Sequence, residues 1–488
     1  MCKMGFRRIT VVVLALVLGL SLLTGVAGAK APKYVFYFIG DGMGAAQRQA
    51  AEYYLRAQTG NEDLKLVMNQ FPVAGVNTTH SADTLVTDSA AAGTALATGY
   101  KTNNGMISQL PDGTNVKTLF EAAEEKGMAT GIVTTTRLTH ATPAVFASHN
   151  RTRGAENEIA YDFLDSGVDF FAGGGYRHFV PQNWKWGKSK RKDDINVAQE
   201  FYEQGYNIFL TEYDTPKFRD YRPKGQEKVF AALTYSHMPY ELDRDDTKVP
   251  SLAEMTAKAI EVLKKYDNGF ILMVEGGRID HACHANDPAG TIHDTLAFDK
   301  AIAEAYEFYK EHPDETLIVV VGDHETGGFG LGFGKNYFLK MDQLFDIKVT
   351  TADVLNYGAG KYDGNRSKFY SFIAVNLGLD DLTSEEKTKI ERAMNIVDAG
   401  KKVKGYGGYD PVAITVTHII SERANMFWTT YAHSGSPVPL SAIGVGAEKL
   451  GGFKDNTEVA RVLFSLLGLQ PTKVASNQLD SLLMAAGN

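Results

Sequence analysis

Residues 34–44 read Y-V-F-Y-F-I-G-D-G-M-G. The run 34–39 is short, unbroken and made of aromatic and β-branched residues, which predicts a strand buried on both faces. Asp41 follows almost at once. The same grammar recurs three times along the chain. Residues 129–135 are followed by Thr142 in T-H-A-T-P, and residues 270–274 run directly into Glu275. Residues 316–321 lead to Asp323 and His324 in V-V-V-G-D-H-E-T-G-G. Between and after these runs, residues 114–126, 251–265, 291–310 and 457–467 carry helical patterns. The alternation predicts an α/β fold with a doubly wound sheet. Ligands of such sheets bind beyond the carboxyl ends of the strands. One Asp-Gly after a strand is usually a turn, but four deliveries of oxygen and nitrogen donors to one rim exceed turn chemistry.

The densest donor set is V-E-G-G-R-I-D-H-A-C-H, residues 274–284. Asp280 and His284 are four apart and share a face on a helix. A carboxylate and an imidazole converging there suit zinc, against a plain solvated loop. A second signal is T-D-S-A-A-A-G-T-A, residues 87–95. Ser89 opens an alanine-rich helical run, where free N–H groups and the positive dipole end favour an anion. A simple N-cap by Asp88 or Ser89 is the ordinary alternative. No G-x-S-x-G elbow surrounds Ser89, so a nucleophilic role there calls for activation by a metal.

The chain has 488 residues, 44% hydrophobic and 22% charged, enough for a large core. A formal net charge of −8 argues against a nucleic-acid partner. Lys3, Arg7 and Arg8 precede an apolar run over 11–23, and Ala27-Gly28-Ala29 offers a small-residue cleavage site. These predict a signal peptide over 1–29 and an exported protein, periplasmic or extracellular, starting near Lys30. The apolar run is short for a stable membrane anchor, and Arg7-Arg8 is a weak twin-arginine motif. Of the two cysteines, Cys2 leaves with the leader. Cys283 then has no partner for a disulfide and reads as a small buried filler rather than a metal ligand. Residues 177–221, with P-Q-N-W-K-W-G-K-S-K-R-K-D-D, read as a solvated surface excursion. Residues 330–426, rich in glycine and mixed in polarity, read as an inserted subdomain within a catalytic unit spanning 30–488.

Taken in order, I-G-D-G-M-G (39–44), T-D-S-A-A-A-G-T-A (87–95), H-A-T-P-A (140–144), E-G-G-R-I-D-H-A-C-H (275–284), G-D-H-E-T-G-G (322–328) and Y-A-H-S-G (431–435) resemble the alkaline phosphatase family. The resemblance implies a three-layer α/β sandwich with a large, mostly parallel sheet and helices on both faces. It implies hydrolysis of phosphate monoesters through a phosphoserine, two zinc ions (Zn2+), one magnesium ion (Mg2+), and a homodimer. By position, Ser89 is similar to the family's nucleophile. Asp280, His284 and His433 match ligands of one zinc, and Asp41, Asp323 and His324 match those of the other, with Ser89 as its partner. Asp41 would also reach magnesium, completed by Thr142 and Glu275. Arg153, thirteen residues after His140, matches the phosphate clamp, with Asp88 orienting it; Arg151 is its neighbour and competitor. Two zinc ions about 4 Å apart can stabilise both the attacking and the leaving oxygen of an in-line displacement. The planar fork of arginine suits two phosphate oxygens.

Some bacterial members of the family carry aspartate and lysine where this chain has His140 and His281, beside the third metal and the phosphate. Neutral histidines there remove one charge of each sign, which predicts weaker magnesium retention and faster phosphate release. Accordingly, His281→Lys is expected to tighten inhibition by phosphate; an unchanged inhibition constant counts against this assignment. The animal members' calcium site has no convincing match around 233–250, so no calcium is expected. Sulfatases, phosphodiesterases and mutases share the fold. Ser89 lacks the C/S-x-P-x-R setting of the first, Thr142, Glu275 and Arg153 argue against the second, and the leader argues against the third. An exported, non-catalytic phosphate or metal scavenger would have no use for Ser89.

Overall fold

The computed structural model describes residues 31–473, and the expected leader lies outside them. The first eight strands are β1 (Tyr34–Gly40), β2 (Val73–Asn77), β3 (Ala129–Arg137), β4 (Phe170–Gly174), β5 (Tyr206–Leu210), β6 (Lys228–Ala232), β7 (Phe270–Glu275) and β8 (Thr316–Gly322). Four two-residue strands follow: β9 (Glu325–Thr326), β10 (Gly330–Leu331), β11 (Met426–Phe427) and β12 (His433–Ser434). They pair with one another outside the main sheet. Then β13 (Val438–Gly444) and β14 (Gly452–Lys454) return to it. The main sheet has ten strands in the order β14-β2-β13-β8-β1-β7-β3-β4-β6-β5. Only β13 opposes its neighbours, so the sheet is mostly parallel.

The central strands are buried on both faces because they are apolar on both. Tyr34, Phe36 and Phe38 of β1 join one core with the helices Ala45–Thr59, Leu252–Leu263, Pro288–Glu311 and Pro411–Ala424. Val35, Tyr37 and Ile39 join the other, with Ser89–Thr98, Ala141–Ala147, Val197–Glu203 and Asn456–Leu467. Each fully buried phenylalanine contributes about 1.5–3 kcal/mol of transfer free energy. This is the expected three-layer sandwich. Its register carries the chemistry: Ile39 lies opposite Glu275 and Val321, and Gly40 opposite Gly322. Asp41 and Asp323 therefore leave the sheet level with each other, and Glu275 ends β7 two positions before them, at the same rim.

Two expected elements differ. The helix expected over 114–126 is confined to Leu119–Glu124, because Thr118 and Glu121 form a capping box that starts it there. Residues 109–115 instead form a tight turn, with Gln109 bridged to Asn115. The excursion over 177–221 contains the helix Val197–Glu203 and the edge strand β5, with Phe201 and Tyr206 buried. Its basic stretch masked the apolar spacing that follows. In the region 330–426, Gly330 pairs with Phe427 and Leu331 with Met426, so the chain leaves and returns at one place. Its buried residues, including Leu344, Ile373, Ile390 and Val416, merge with the core around Phe36. Among the described residues, no helix is long and apolar enough to cross a membrane.

Candidate active site and metal centre

Three donor clusters sit at the carboxyl rim of the central strands. Asp280, His284 and His433 form one, Asp41, Asp323 and His324 a second, and Asp41, Glu275 and His140 a third, each with ligand atoms within 4.8 Å of one another. In the first, the Nε2 atoms of His284 and His433 are 3.2 Å apart. They lie 3.3 and 3.5 Å from Asp280 Oδ1. In the second, His324 Nε2 is 3.3 Å from Asp41 Oδ1 and 3.4 Å from Asp323 Oδ2. The expected i, i+4 pair is real: Asp280 and His284 lie on the helix Arg278–His284.

The far side of each imidazole fixes which nitrogen faces inward. His284 Nδ1 donates to the Tyr431 carbonyl at 2.6 Å, and His433 Nδ1 donates to the Thr87 carbonyl at 2.8 Å. Thr326 Oγ1 donates to Asp280 Oδ1 at 2.6 Å, so it accepts from His324 Nδ1 at 3.2 Å. All three Nε2 atoms then point into the clusters, an arrangement typical of metal-binding histidines. The carboxylates tell the same story. Both oxygens of Asp41, Oδ2 of Asp323, Oε1 of Glu275 and the Thr142 hydroxyl are buried without a hydrogen-bond partner. Buried polar groups without partners are costly, and divalent cations would relieve them.

The electrostatics follow. Burial, then the charges of Asp323, Asp280 and Glu275, pushes the Asp41 carboxyl well above the usual range. Burial raises Asp323 to about 7. Burial also raises Glu275, against hydrogen bonds that favour its ionised form. For Asp280 burial acts in the same sense, but His284 and His433 outweigh it and hold the carboxyl well below its ordinary value. Burial and the neighbouring His433 keep His324 neutral.

Ser89 lies beside the second cluster. Its Oγ is 3.2 Å from His324 Nε2, and the residue is 1% exposed. The capping role falls to Asp88, whose Oδ1 accepts from Ala91 N at 3.0 Å. Asp88 Oδ2 accepts from Arg153 Nη1 at 3.0 Å, and Arg153 Nη2 donates to His140 Nε2 at 3.0 Å. Arg151 turns instead to the Asp112 carbonyl. Burial, then the cation of Arg153, holds His140 neutral. Burial, then Arg278, pushes His281 down to about 3. The ring of His281 is 5.5 Å from that of His140. Cys283 is buried beside Gln47 and Thr291 and belongs to no cluster.

Several contributors were missed from the sequence. Thr134 and Thr136, at the end of β3, both donate to Glu275 Oε2 and aim its other oxygen inward. The T-T-T run at a strand end hinted at them. His237, with its ring 4.4 Å from that of His281, arrives from a distant loop. Arg278 donates to His281 Nδ1 at 3.1 Å while its guanidinium stacks 3.5 Å over the Tyr240 ring.

Comparison with known proteins agrees with this geometry. The model of the alkaline phosphatase family matches residues 32–469. Alkaline phosphatase 4 of Bacillus subtilis is 33% identical over 446 residues, 89% of this chain and 88% of that protein. The Thermus thermophilus alkaline phosphatase structure superposes with a TM-score of 0.77 at 31% identity, covering 93% of this chain and 96% of that one. A mutant of the TAB5 alkaline phosphatase, solved with magnesium in its M3 site, gives 0.62 at 27% identity, covering 91% and 99%. The chain belongs to the alkaline phosphatase family, metal-dependent hydrolases that act on phosphate monoesters.

Proposed function

We propose that this chain cleaves phosphate monoesters through a phosphoserine on Ser89, with two zinc ions and one magnesium ion as residents. The observation that carries the reading is the Ser89 hydroxyl, 3.2 Å from His324 Nε2, among buried carboxylates that lack partners. Asp280, His284 and His433 would hold one zinc, and Asp41, Asp323 and His324 the other. Mixed nitrogen and oxygen sets suit zinc. Asp41, Glu275 and Thr142 would hold the magnesium, which favours oxygen ligands. His140 falls within that cluster, but a neutral imidazole has one lone pair, and Arg153 already donates to Nε2. His140 therefore serves Arg153 and leaves an oxygen-only set.

Bound cations would offset the charge on the attacking and leaving oxygens and promote ionisation of the serine. The chain's own residues do the rest. Ser89 Oγ forms a bond to phosphorus as the ester oxygen departs in line, and water later displaces Oγ, releasing inorganic phosphate. The helix N-terminus at Ser89 favours the anion. Arg153 holds two nonbridging oxygens, oriented by Asp88 and His140. His281, with Nδ1 accepting from Arg278, keeps its proton on Nε2.

The same proposal includes the leader over 1–29, export to the periplasm or beyond, and a homodimer. It also includes an inserted subdomain over 330–426, supported by the paired ends at Gly330 and Phe427. The decisive experiment removes metals by chelation, restores zinc and magnesium, and compares an aryl phosphate monoester with the diester across pH. Monoester turnover should return with the metals and exceed diester turnover. A monoester left intact with both metals restored would overturn the proposal.

A further inference from the structure

The stretch W-K-W-G-K-S-K-R-K, residues 184–192, has no part in the phosphatase site. It borders a groove of about 790 Å³ at the outer sheet edge, lined by Trp184, Trp186, Tyr202, Tyr213, Asn196 and Gln199. That volume lies within the range of about 300–1,000 Å³ typical of ligand sites. The edge strand β5 is five positions from β1, about 24 Å at a spacing of about 4.8 Å. Leu210 and Thr211 also line the groove, so it opens near the carboxyl end of β5, on the same rim as the metal clusters.

Its aromatic rings are unusually open: Trp186 is 80% exposed, Tyr213 81% and Tyr202 64%. Clustered exposed apolar surface marks interaction sites, and Trp and Tyr combine an apolar body with a polar tip. The wall is built rather than loose. Trp184 packs 5.3 Å from the Tyr176 ring, and a side chain at Gly187 would sit 3.0 Å from both Trp184 and the Tyr176 hydroxyl. The two indole N–H groups and the Tyr202 and Tyr213 hydroxyls take no hydrogen bond among the described residues. Asn196 uses only its carbonyl, accepting from Gln199 N, and Gln199 uses only its amide nitrogen, donating to Glu203.

Charge selects among occupants. The only ions in the lining, Asp214 and Lys217, close on each other at 2.8 Å. Lys185, Lys188, Lys190 and Lys192 lie outside it. A groove for single-stranded nucleic acid combines stacking rings with free cations along the backbone path, and this lining has none. Rings offering flat faces, with unused amides, hydroxyls and indole N–H groups between them, match pyranose rings, which present C–H faces and a rim of hydroxyls. We propose that this groove is a carbohydrate-binding site for a neutral glycan chain, separate from the phosphatase centre.

The test is intrinsic fluorescence of the full chain. Of three tryptophans, two line the groove. The third, Trp428, is buried, stacked on Phe329 and bonded to Ser421. The probes are tetrasaccharides of glucose, N-acetylglucosamine and mannose, with a single-stranded oligonucleotide as control. The expected result is saturable quenching by at least one tetrasaccharide. Affinity should fall by about tenfold or more in Trp186→Ala and in Tyr213→Ala, with aryl phosphate turnover unchanged in both. No saturable binding by any tetrasaccharide overturns the proposal, as does tighter binding of the oligonucleotide. Dissociation of a dimer in either variant also overturns it, since the occupant would then be a second copy.

Discussion

Ser89→Ala is expected to lower kcat for an aryl phosphate by about 10,000-fold or more, the scale seen when a nucleophile is removed from a working constellation. The reason is local. Ser89 Oγ is the hydroxyl beside His324 Nε2, and the adjacent N-cap is already supplied by Asp88. Alanine removes one oxygen and leaves the cap, the helix and the three clusters in place, so the protein should fold and keep its full metal content. Metal analysis and turnover on the same sample separate the possibilities. Lost turnover with retained metal supports the nucleophile. Retained turnover would show that water attacks directly and that Ser89 only lines the site. If the native role were scavenging phosphate, uptake would survive the substitution and no turnover would have existed to lose.

Much of this arrangement was legible because parallel strands impose a simple rule. Buried on both faces, they read as apolar runs, and their carboxyl ends must carry the ligands. Asp41, Glu275 and Asp323 each follow such a run, and the register brings Asp41 and Asp323 level, with Glu275 two positions before them. The outer strands were not legible. β2 alternates half-exposed and exposed residues, β14 has three residues, and β5 follows a stretch dense in lysine. Antiparallel β13 between β8 and β2 has no local signature either, since sheet order depends on contacts distant in sequence. The site divides in the same way. Ligand side chains announce themselves by type, whereas the carbonyls of Thr87 and Tyr431 that orient His433 and His284 are backbone atoms. Every residue has such a carbonyl, so no sequence pattern distinguishes these two. His237 belongs to the histidine group only because the segments that follow β3, β6 and β7 meet there, bringing it against His140 and His281.

Asp41→Asn is expected to have opposite effects on stability with and without metals. Asp41 belongs to two of the three clusters, and both its oxygens lack other partners. In the metal-loaded protein the substitution should cost two of the three ions and most activity, and should lower the melting temperature, because ions that bind only the folded state stabilise it. In the chelated protein the sign reverses. Asp41 and Asp323 have carboxyls raised in the folded state, Asp323 to about 7. Such groups contribute stability that is fully present below their unfolded values and is lost as pH rises through the folded ones. For Asp323 that window runs from 3.8 to about 7. Histidines held neutral, such as His324, act in the other direction below 6.5, so the comparison belongs at pH 8, where they are neutral folded and unfolded. There the chelated wild type must hold Asp41 and Asp323 together, two buried carboxyls whose ionisation is opposed by burial and, for Asp41, by the charge of Asp323. Asparagine at 41 removes one and lets the other ionise at less cost, so chelated Asp41→Asn should melt above chelated wild type. Calorimetry at pH 8, with and without zinc and magnesium, reads both signs. If the variant melts lower in both conditions, Asp41 is a structural carboxylate with a partner other than a cation, and the shared-ligand assignment fails.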